Sequence, residues 1–333
     1  MRIFTSTLYL WVPLTLLSII GACYSLTAWS SFPLTISHIY QYLFEFDPMS
    51  MEQQIIASIR MPRVLAGLLI GANLAVAGLM MQGLTRNPLA SPSILGINAG
   101  AACLMALASI GTPFLETMPS VLLASIGGVL SGAVVLTLGG FFSAKPHPLK
   151  LVLAGIAINA LLIGVTRAAV ILADDKAYSI ISWLAGSLSS IEWQQWNTLW
   201  PTSVLGLIVS LFVARQLNLL ALGSDVATSL GVNIRLTRAL THLAVVLLTA
   251  SSVAVAGPIG FVGMLVPHIA KKFIGNNFIT LIPASALLGA ALIVWADALS
   301  RAIAFPAETP VGVITALIGT PCFVFLAMRS KSS

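Results

Sequence analysis

The residues that could do chemistry are few and poorly placed for catalysis. His38, His147, His242 and His268 have no metal-ligand spacing, so no metal site is expected, and no HExxH, GxSxG or GxxxxGK[ST] pattern occurs. Cys23, Cys103 and Cys322 lack CxxC spacing and lie in or beside apolar runs, where a cysteine is a small buried hydrophobe. What remains is electrostatic and polar. Arg60 and Arg63 stand one helical turn apart around Pro62, and Arg301 follows Asp297 by four residues, the spacing of an ion pair on one helix face. Asn73, Gln82, Asn98, Asn159 and His242 fall inside apolar runs, where such groups bond between helices for about 0.6–2 kcal/mol each. Arg167 shares the run of Asn159; it either snorkels to a membrane surface or draws an anionic solute into a path.

The elements that carry these residues belong in a membrane. Hydrophobic residues make up 58% of the 333 and charged ones 8%, with mean hydropathy +1.00, against about 25% charged residues in a soluble globule. A helix is predicted to begin at Arg60, with Pro62 in its first turn. Its uncharged run from Val64 to Met81 nearly crosses a hydrocarbon core of about 30 Å. Gly67, Gly71 and Ala75 recur every four residues as a smooth ridge for a neighbouring helix, and Arg86, Asn87, Pro88, Ser91 and Pro92 end the run.

Further apolar runs at 8–29, 94–110, 119–142, 150–173, 194–214, 239–257, 258–275, 279–300 and 309–328 bring the expectation to about ten spans in one all-α transmembrane domain over 1–333. The first run contains Ile20-Gly21-Ala22-Cys23, the pattern of a lipoprotein cleavage site, but continues past Cys23 and is read as a retained helix. Ser30 to Ile59 reads as a polar, mildly acidic connection with Glu45, Asp47 and Glu52.

Lysine and arginine collect on the cytoplasmic side of membrane proteins. With the N-terminus inside, Arg2, Arg86, Lys145, Lys150, Arg215, Arg235, Arg238, Lys271, Lys272, Arg329 and Lys331 face the cytoplasm. Arg60, Arg63, Lys176 and Arg301 face outward among Glu45, Asp47, Glu52, Glu116, Asp174, Asp175, Glu192 and Glu308. Both termini are therefore expected to be cytoplasmic. Ala177 to Leu188 is apolar but too short to span, and reads as an interfacial or re-entrant helix. Gly257-Pro258, Gly260, Gly263 and Pro267 interrupt a span, as tolerated beside protein or a water-filled cavity. Residues 60–190 and 238–328 suit an inverted repeat.

The cytoplasmic loop 215–238 holds a helix–glycine–helix knob: Gly223-Ser224-Asp225 offers a cap, Val226–Leu230 a short amphipathic helix, and Gly231 its end. The knob either ties two spans together or docks a cytoplasmic partner.

Taken in order, RMPRVLAGLLIGANLAVAGLMMQGLTRNPLASPSILGINAG, LALGSDVATSLGVN, AGPIGFVGMLVPH and DALSRAIAFPAETPVGVITALIGTPCFVFL resemble the iron-siderophore and vitamin B12 permease family of ABC importers, from about residue 8 to 328. LVLAGIAINALLIGVTR and ILADDKAYSIISWLAGSLSSIEWQ look most like the ferric dicitrate permease subunits.

The resemblance implies a non-enzymatic permease subunit of the bacterial cytoplasmic membrane. Its implied partners are a second permease chain, identical or sister, a cytoplasmic ATPase dimer and an external substrate-binding protein. ATP and Mg would sit on the ATPase, and this chain would hold no cofactor. The coupling element would be Leu222–Asn233, with Gly223, Ser224, Asp225, Ala227, Thr228, Leu230 and Gly231 shaping it. Arg60, Arg63 and Arg301 match exposed arginines that grip glutamates of the binding protein, and Asn159 and Arg167 are candidates for the path of a ferric chelate. Vitamin B12 and haem are the other cargoes of such permeases. An ion-coupled secondary transporter is the competing class; it needs a buried coupling carboxylate, and Asp297 is the one acid inside an expected span. An intramembrane enzyme would need a nucleophile–base or metal pair, which no motif supplies.

Overall fold

The computed structural model describes residues 2–30, 32–88, 90–140, 148–173 and 177–330. Lys145, Asp174, Asp175, Lys176 and Lys331, which entered the topology reading, and His147, which entered the metal-ligand reading, lie outside the described residues. The described chain is helical, with no strand among the described residues. In order the helices are α1 (Arg2–Thr27), α2 (Ile36–Phe44), α3 (Met51–Ile55), α4 (Met61–Thr85), α5 (Ile97–Ser109), α6 (Ser120–Leu138), α7 (Pro148–Leu172) and α8 (Ala177–Leu184). There follow α9 (Trp193–Phe212), α10 (Ala214–Ala221), α11 (Ser224–Ser229), α12 (Ile234–Ala256), α13 (Val262–Ile274), α14 (Phe278–Ala304) and α15 (Val311–Ser330).

Each expected apolar run falls on a helix; α5 and α13, at 13 residues each, are too short to cross a bilayer alone. Five described helical stretches pass on length and apolarity: Met51–Thr85, Ser120–Leu138, Leu149–Leu172, Ile234–Ala256 and Phe278–Ala304. A sixth arises if α9 and α10, bent by 46°, count as one span. The shortness of α5 and α13 has local causes. α5 begins only after a 3₁₀ turn at Pro92–Leu95 and Gly96 at φ 71°, and ends before Gly111 at φ 75°. α13 starts late because Gly257 at φ 72° and the following Pro258 stop α12. Both keep 13 residues, about 20 Å of helix.

The helix expected to begin at Arg60 starts earlier. α3 runs through a π turn, Ile56–Arg60, directly into α4. The wide turn lies just upstream of Pro62, whose missing N–H leaves a carbonyl one turn earlier without its helical donor. The connection read as polar likewise holds helices α2 and α3.

α4 is the centre of the bundle. In its most apolar window 83% of residues are buried, against 11% for α7 at the periphery. It packs on α14, α12, α13 and α9. The glycine ridge permits this: a Cβ on Gly71 would strike the backbone of Gly289 on α14, and one on Gly78 the backbone of Gly263 on α13. Asn73 donates to Ser203 Oγ on α9 (2.7 Å) and Ser252 Oγ on α12 (3.1 Å), the interhelical role expected of buried amides.

α8 stays short. Its exit loop is pinned by Ser187 N–H to Ala256 O (2.9 Å) and by Gly312 N–H to Gly186 O (2.9 Å), so the ends of α8, α12 and α15 meet at one joint. An apolar cleft lined by Leu184, Ala185, Pro258, Gly312, Leu317 and Thr320 opens there.

Candidate docking and coupling sites

At the N-terminal end of α4 the three candidate arginines converge, but not as free cations. Arg63 donates from Nε (3.0 Å) and Nη2 (2.8 Å) to Asp297 Oδ1 on α14, and from Nη1 to both carboxylate oxygens of Glu308 (3.0 and 2.9 Å). Arg301 takes the other oxygen, Nη2 to Asp297 Oδ2 at 3.1 Å, and also donates to Ser25 O, Ser25 Oγ and Ala28 O at the end of α1. Arg60 is 8% exposed, Arg63 4% and Arg301 1%, so the expectation that all three stand exposed is corrected. Two arginines can be buried here because one aspartate accepts from both, and removing one partner of such a pair typically costs about 3–5 kcal/mol. The i,i+4 pairing of Arg301 with Asp297 read from spacing is present. The cluster knots α1, α4, α14 and the loop before α15.

Arg60 differs. It donates from Nη2 to Trp29 O (3.2 Å), while its Nη1 is buried without a hydrogen-bond acceptor. Glu308 is the half-exposed acid of the cluster.

At the opposite end of α4 the knob is a compact, well-anchored unit. α11 starts at Ser224, earlier than the expected Val226, and Gly223 occupies the cap position at φ 128°, a conformation suited to glycine. Gly231 at φ 82° closes the helix, with Val232 N–H on Ala227 O (3.0 Å) and Gly231 N–H on Thr228 O (2.9 Å). The cap thus lies within the expected Gly223-Ser224-Asp225 stretch; Ser224 Oγ lies 3.5 Å from Arg86 Nη2, and Thr228 Oγ1 donates back to Ser224 O (2.9 Å). Ala227 is fully buried and fixes the inner face. Outward, Leu222, Val226 and Leu230, spaced four apart, are exposed beside the exposed Asp225, leaving an apolar row at the tip.

Two residues missed from the sequence hold the knob to the bundle. Arg86, left-handed at φ 50° as the last turn of α4 ends, donates from Nη2 to Leu220 O at 2.7 Å. Asn218 on α10 donates to Asn277 Oδ1 (2.8 Å) and accepts from Phe278 N–H (2.8 Å), tying the knob to the start of α14. The break Arg86-Asn87-Pro88 was visible in the sequence; its reach across 134 residues to Leu220 was not.

One family profile, the FecCD transport family, matches residues 16–329. The chain belongs to the FecCD transport family. Among relatives of this family member, the Fe(3+) dicitrate transport system permease protein FecC of Escherichia coli (strain K12) is 44% identical over 306 residues, covering 92% of each chain. The Fe(3+)-citrate import system permease protein YfmD of Bacillus subtilis (strain 168) is 42% identical, covering 98% of this chain and 97% of its own. A solved structure described as an inward-facing metal-chelate type ABC transporter superposes with a TM-score of 0.82 at 32% identity, over 96% of this chain and 98% of its own. This FecCD member is thus an all-α, multi-pass membrane transport protein.

The remaining candidates of the FecCD chain lie on α7 or alone. Asn159 is half-buried and donates from Nδ2 to Ser93 O (3.1 Å); Arg167, two turns on, is exposed. They share a helix but meet in no common site. Among the described residues no three His, Cys, Asp or Glu side chains cluster as metal ligands would.

Proposed function

We propose that this chain is the permease subunit of an ATP-driven importer that carries a ferric chelate across the bacterial cytoplasmic membrane, with ferric citrate the first candidate cargo. The carrying observation is that relatives named for ferric citrate match it along almost the entire chain. In this reading the chain does no covalent chemistry and holds no cofactor; ATP and Mg lie on a cytoplasmic ATPase dimer seated on the apolar row Leu222, Val226 and Leu230. Because the knob is tied through Arg86 to α4 and through Asn218 to α14, a push there reaches the two helices that also end in the Arg63–Asp297 knot.

An external substrate-binding protein docks over that knot. Arg60, with an unused buried donor, is the best-placed cation; Arg63 and Arg301 support it by holding the surface in shape. A second permease chain, identical or sister, packs along α7, whose Leu153, Ile156, Leu161 and Ile171 are exposed. Asn159 and Arg167 on the same helix then face the path between two chains. Both termini lie in the cytoplasm.

Residues 60–190 and 238–328 form two inverted repeats in this reading. Supporting it, α4–α5–α6–α7 and α12–α13–α14–α15 each run long helix, break, 13-residue helix, then two longer helices, and α4 packs on α14 as α12 packs on α6. The ion-coupled alternative is disfavoured by Asp297, which is clamped between two guanidinium groups rather than free to take up and release a proton or sodium.

The test is iron uptake in cells lacking this chain, supplied in turn with ferric citrate, hydroxamate and catecholate chelates. Loss of ferric citrate uptake, restored by this chain, supports the cargo. Loss of another chelate, of haem or of vitamin B12 overturns the ferric citrate choice.

A further inference from the structure

α2 has three faces in three environments. Ile39, with Tyr42 beside it, turns inward and shares a small core with Leu26 of α1, Ile56 of the π turn and Val64 of α4. Ser37, His38 and Gln41 form a polar edge. The third face, Ile36, Tyr40, Leu43 and Phe44, follows i, i+4, i+7, i+8 and is open: these side chains are 58–74% exposed.

The position of this helix decides what covers that face. α2 has 9 residues, about 13 Å, and cannot cross a bilayer. It packs against the end of α1 and the π turn that opens α4, so it lies where two apolar helices leave the membrane. Ile19, Ile20 and Tyr24 of α1 and Phe32 of the connection to α2 are exposed apolar side chains as well. Aromatic residues gather in the same stretch: Trp29, Phe32, Tyr40, Phe44 and Phe46 are all exposed, the composition of a membrane-surface belt. No lysine or arginine lies between Arg2 and Arg60, so an acidic protein or anionic headgroup finds no matching charge here.

We propose that α2 is an interfacial anchor whose Ile36–Tyr40–Leu43–Phe44 face lies in the headgroup–acyl boundary of the leaflet at the Arg60 end of α4. Lipid contact of this kind is driven by buried apolar area without an electrostatic term. By gripping the surface beside Ile56 and Val64, α2 holds the Arg60–Arg63 segment at a fixed height.

The test uses the full chain in phosphatidylcholine nanodiscs, with Cys23, Cys103 and Cys322 replaced by alanine and a nitroxide placed at Tyr40→Cys, Leu43→Cys or, as control, Ser37→Cys. Labels at 40 and 43 are expected to collide with oxygen several-fold more than with a water-soluble nickel chelate, and the label at 37 to show the reverse. Preference for the nickel chelate at 40 and 43 overturns the proposal by placing the face in water. Protection from both reagents overturns it by placing the face under protein, a second copy or a partner. Should the cysteine-free chain not fold, the unmodified chain is irradiated with a phosphatidylcholine carrying a diazirine near the headgroup. Adducts on residues 36–44 are then expected, and their absence overturns the anchor.

Discussion

Arg63 reaches Asp297 across 234 residues of sequence and places two nitrogens, Nε and Nη2, on one carboxylate oxygen at 3.0 and 2.8 Å. The other oxygen serves Arg301. With α1 bonded to Arg301 as well, one aspartate sets the relative height of three helices at one end of the bundle.

Removing that aspartate should therefore unfold before it uncouples. Asp297→Ala leaves two buried guanidinium groups without their anion, a loss of about 3–5 kcal/mol, and the chain is expected to disappear from membranes or to melt well below the unmodified protein in detergent. Asp297→Asn, which still accepts hydrogen bonds, should fall between. Full expression and an unchanged melting curve for Asp297→Ala would refute the structural role.

Arg60 is expected to behave in the opposite way. Its substitution by alanine should leave folding intact and weaken binding of the external binding protein roughly tenfold, about 1.4 kcal/mol, mostly through slower association that flattens in high salt. Surface plasmon resonance on nanodisc-embedded complex reads this directly; unchanged association moves docking away from Arg60.

Close helix crossings give a third expectation. Gly78→Val inserts a side chain into the backbone of Gly263, and no rotamer avoids the collision, so the amount of folded chain should drop sharply. Gly164→Ala on α7, where nothing lies within 4 Å, should leave that amount unchanged in the same membrane blot. Equal levels for the two variants would contradict the packing at α4.

For the knob, Leu222→Ser with Leu230→Glu should preserve the fold, because both side chains are exposed, yet abolish co-purification of the ATPase. Ala227→Leu, at a fully buried position, should disturb the knob itself and show as increased protease cleavage within 215–238. Retained ATPase on the Leu222, Leu230 variant would mean that the apolar tip does not dock it.

Much of this architecture was legible in the sequence because a bilayer imposes long uncharged runs, and glycine and proline mark where they stop. The ridge Gly67–Gly71–Ala75, the stop at Gly257-Pro258 and the knob closed by Gly231 all stand where spacing put them. The apolar run at 94–110 gave no such guide to helix length, since Gly96 and Gly111 shorten the helix inside it. The burial of Arg63 was invisible, because its anion comes from the far end of the chain, whereas Arg301 could be paired from local spacing. α2 escaped notice because Glu45, Asp47 and Glu52 dominate the average over residues 30–59 and mask the spacing of Ile36, Tyr40, Leu43 and Phe44.

The most direct measurement of the central claim is radioactive ferric citrate accumulation by proteoliposomes holding this chain with its permease partner, ATPase and binding protein. Accumulation that requires ATP on the ATPase side, stops with a hydrolysis-dead ATPase and survives collapse of the proton and sodium gradients is the expected result. Accumulation that follows an ion gradient and ignores ATP would contradict the account.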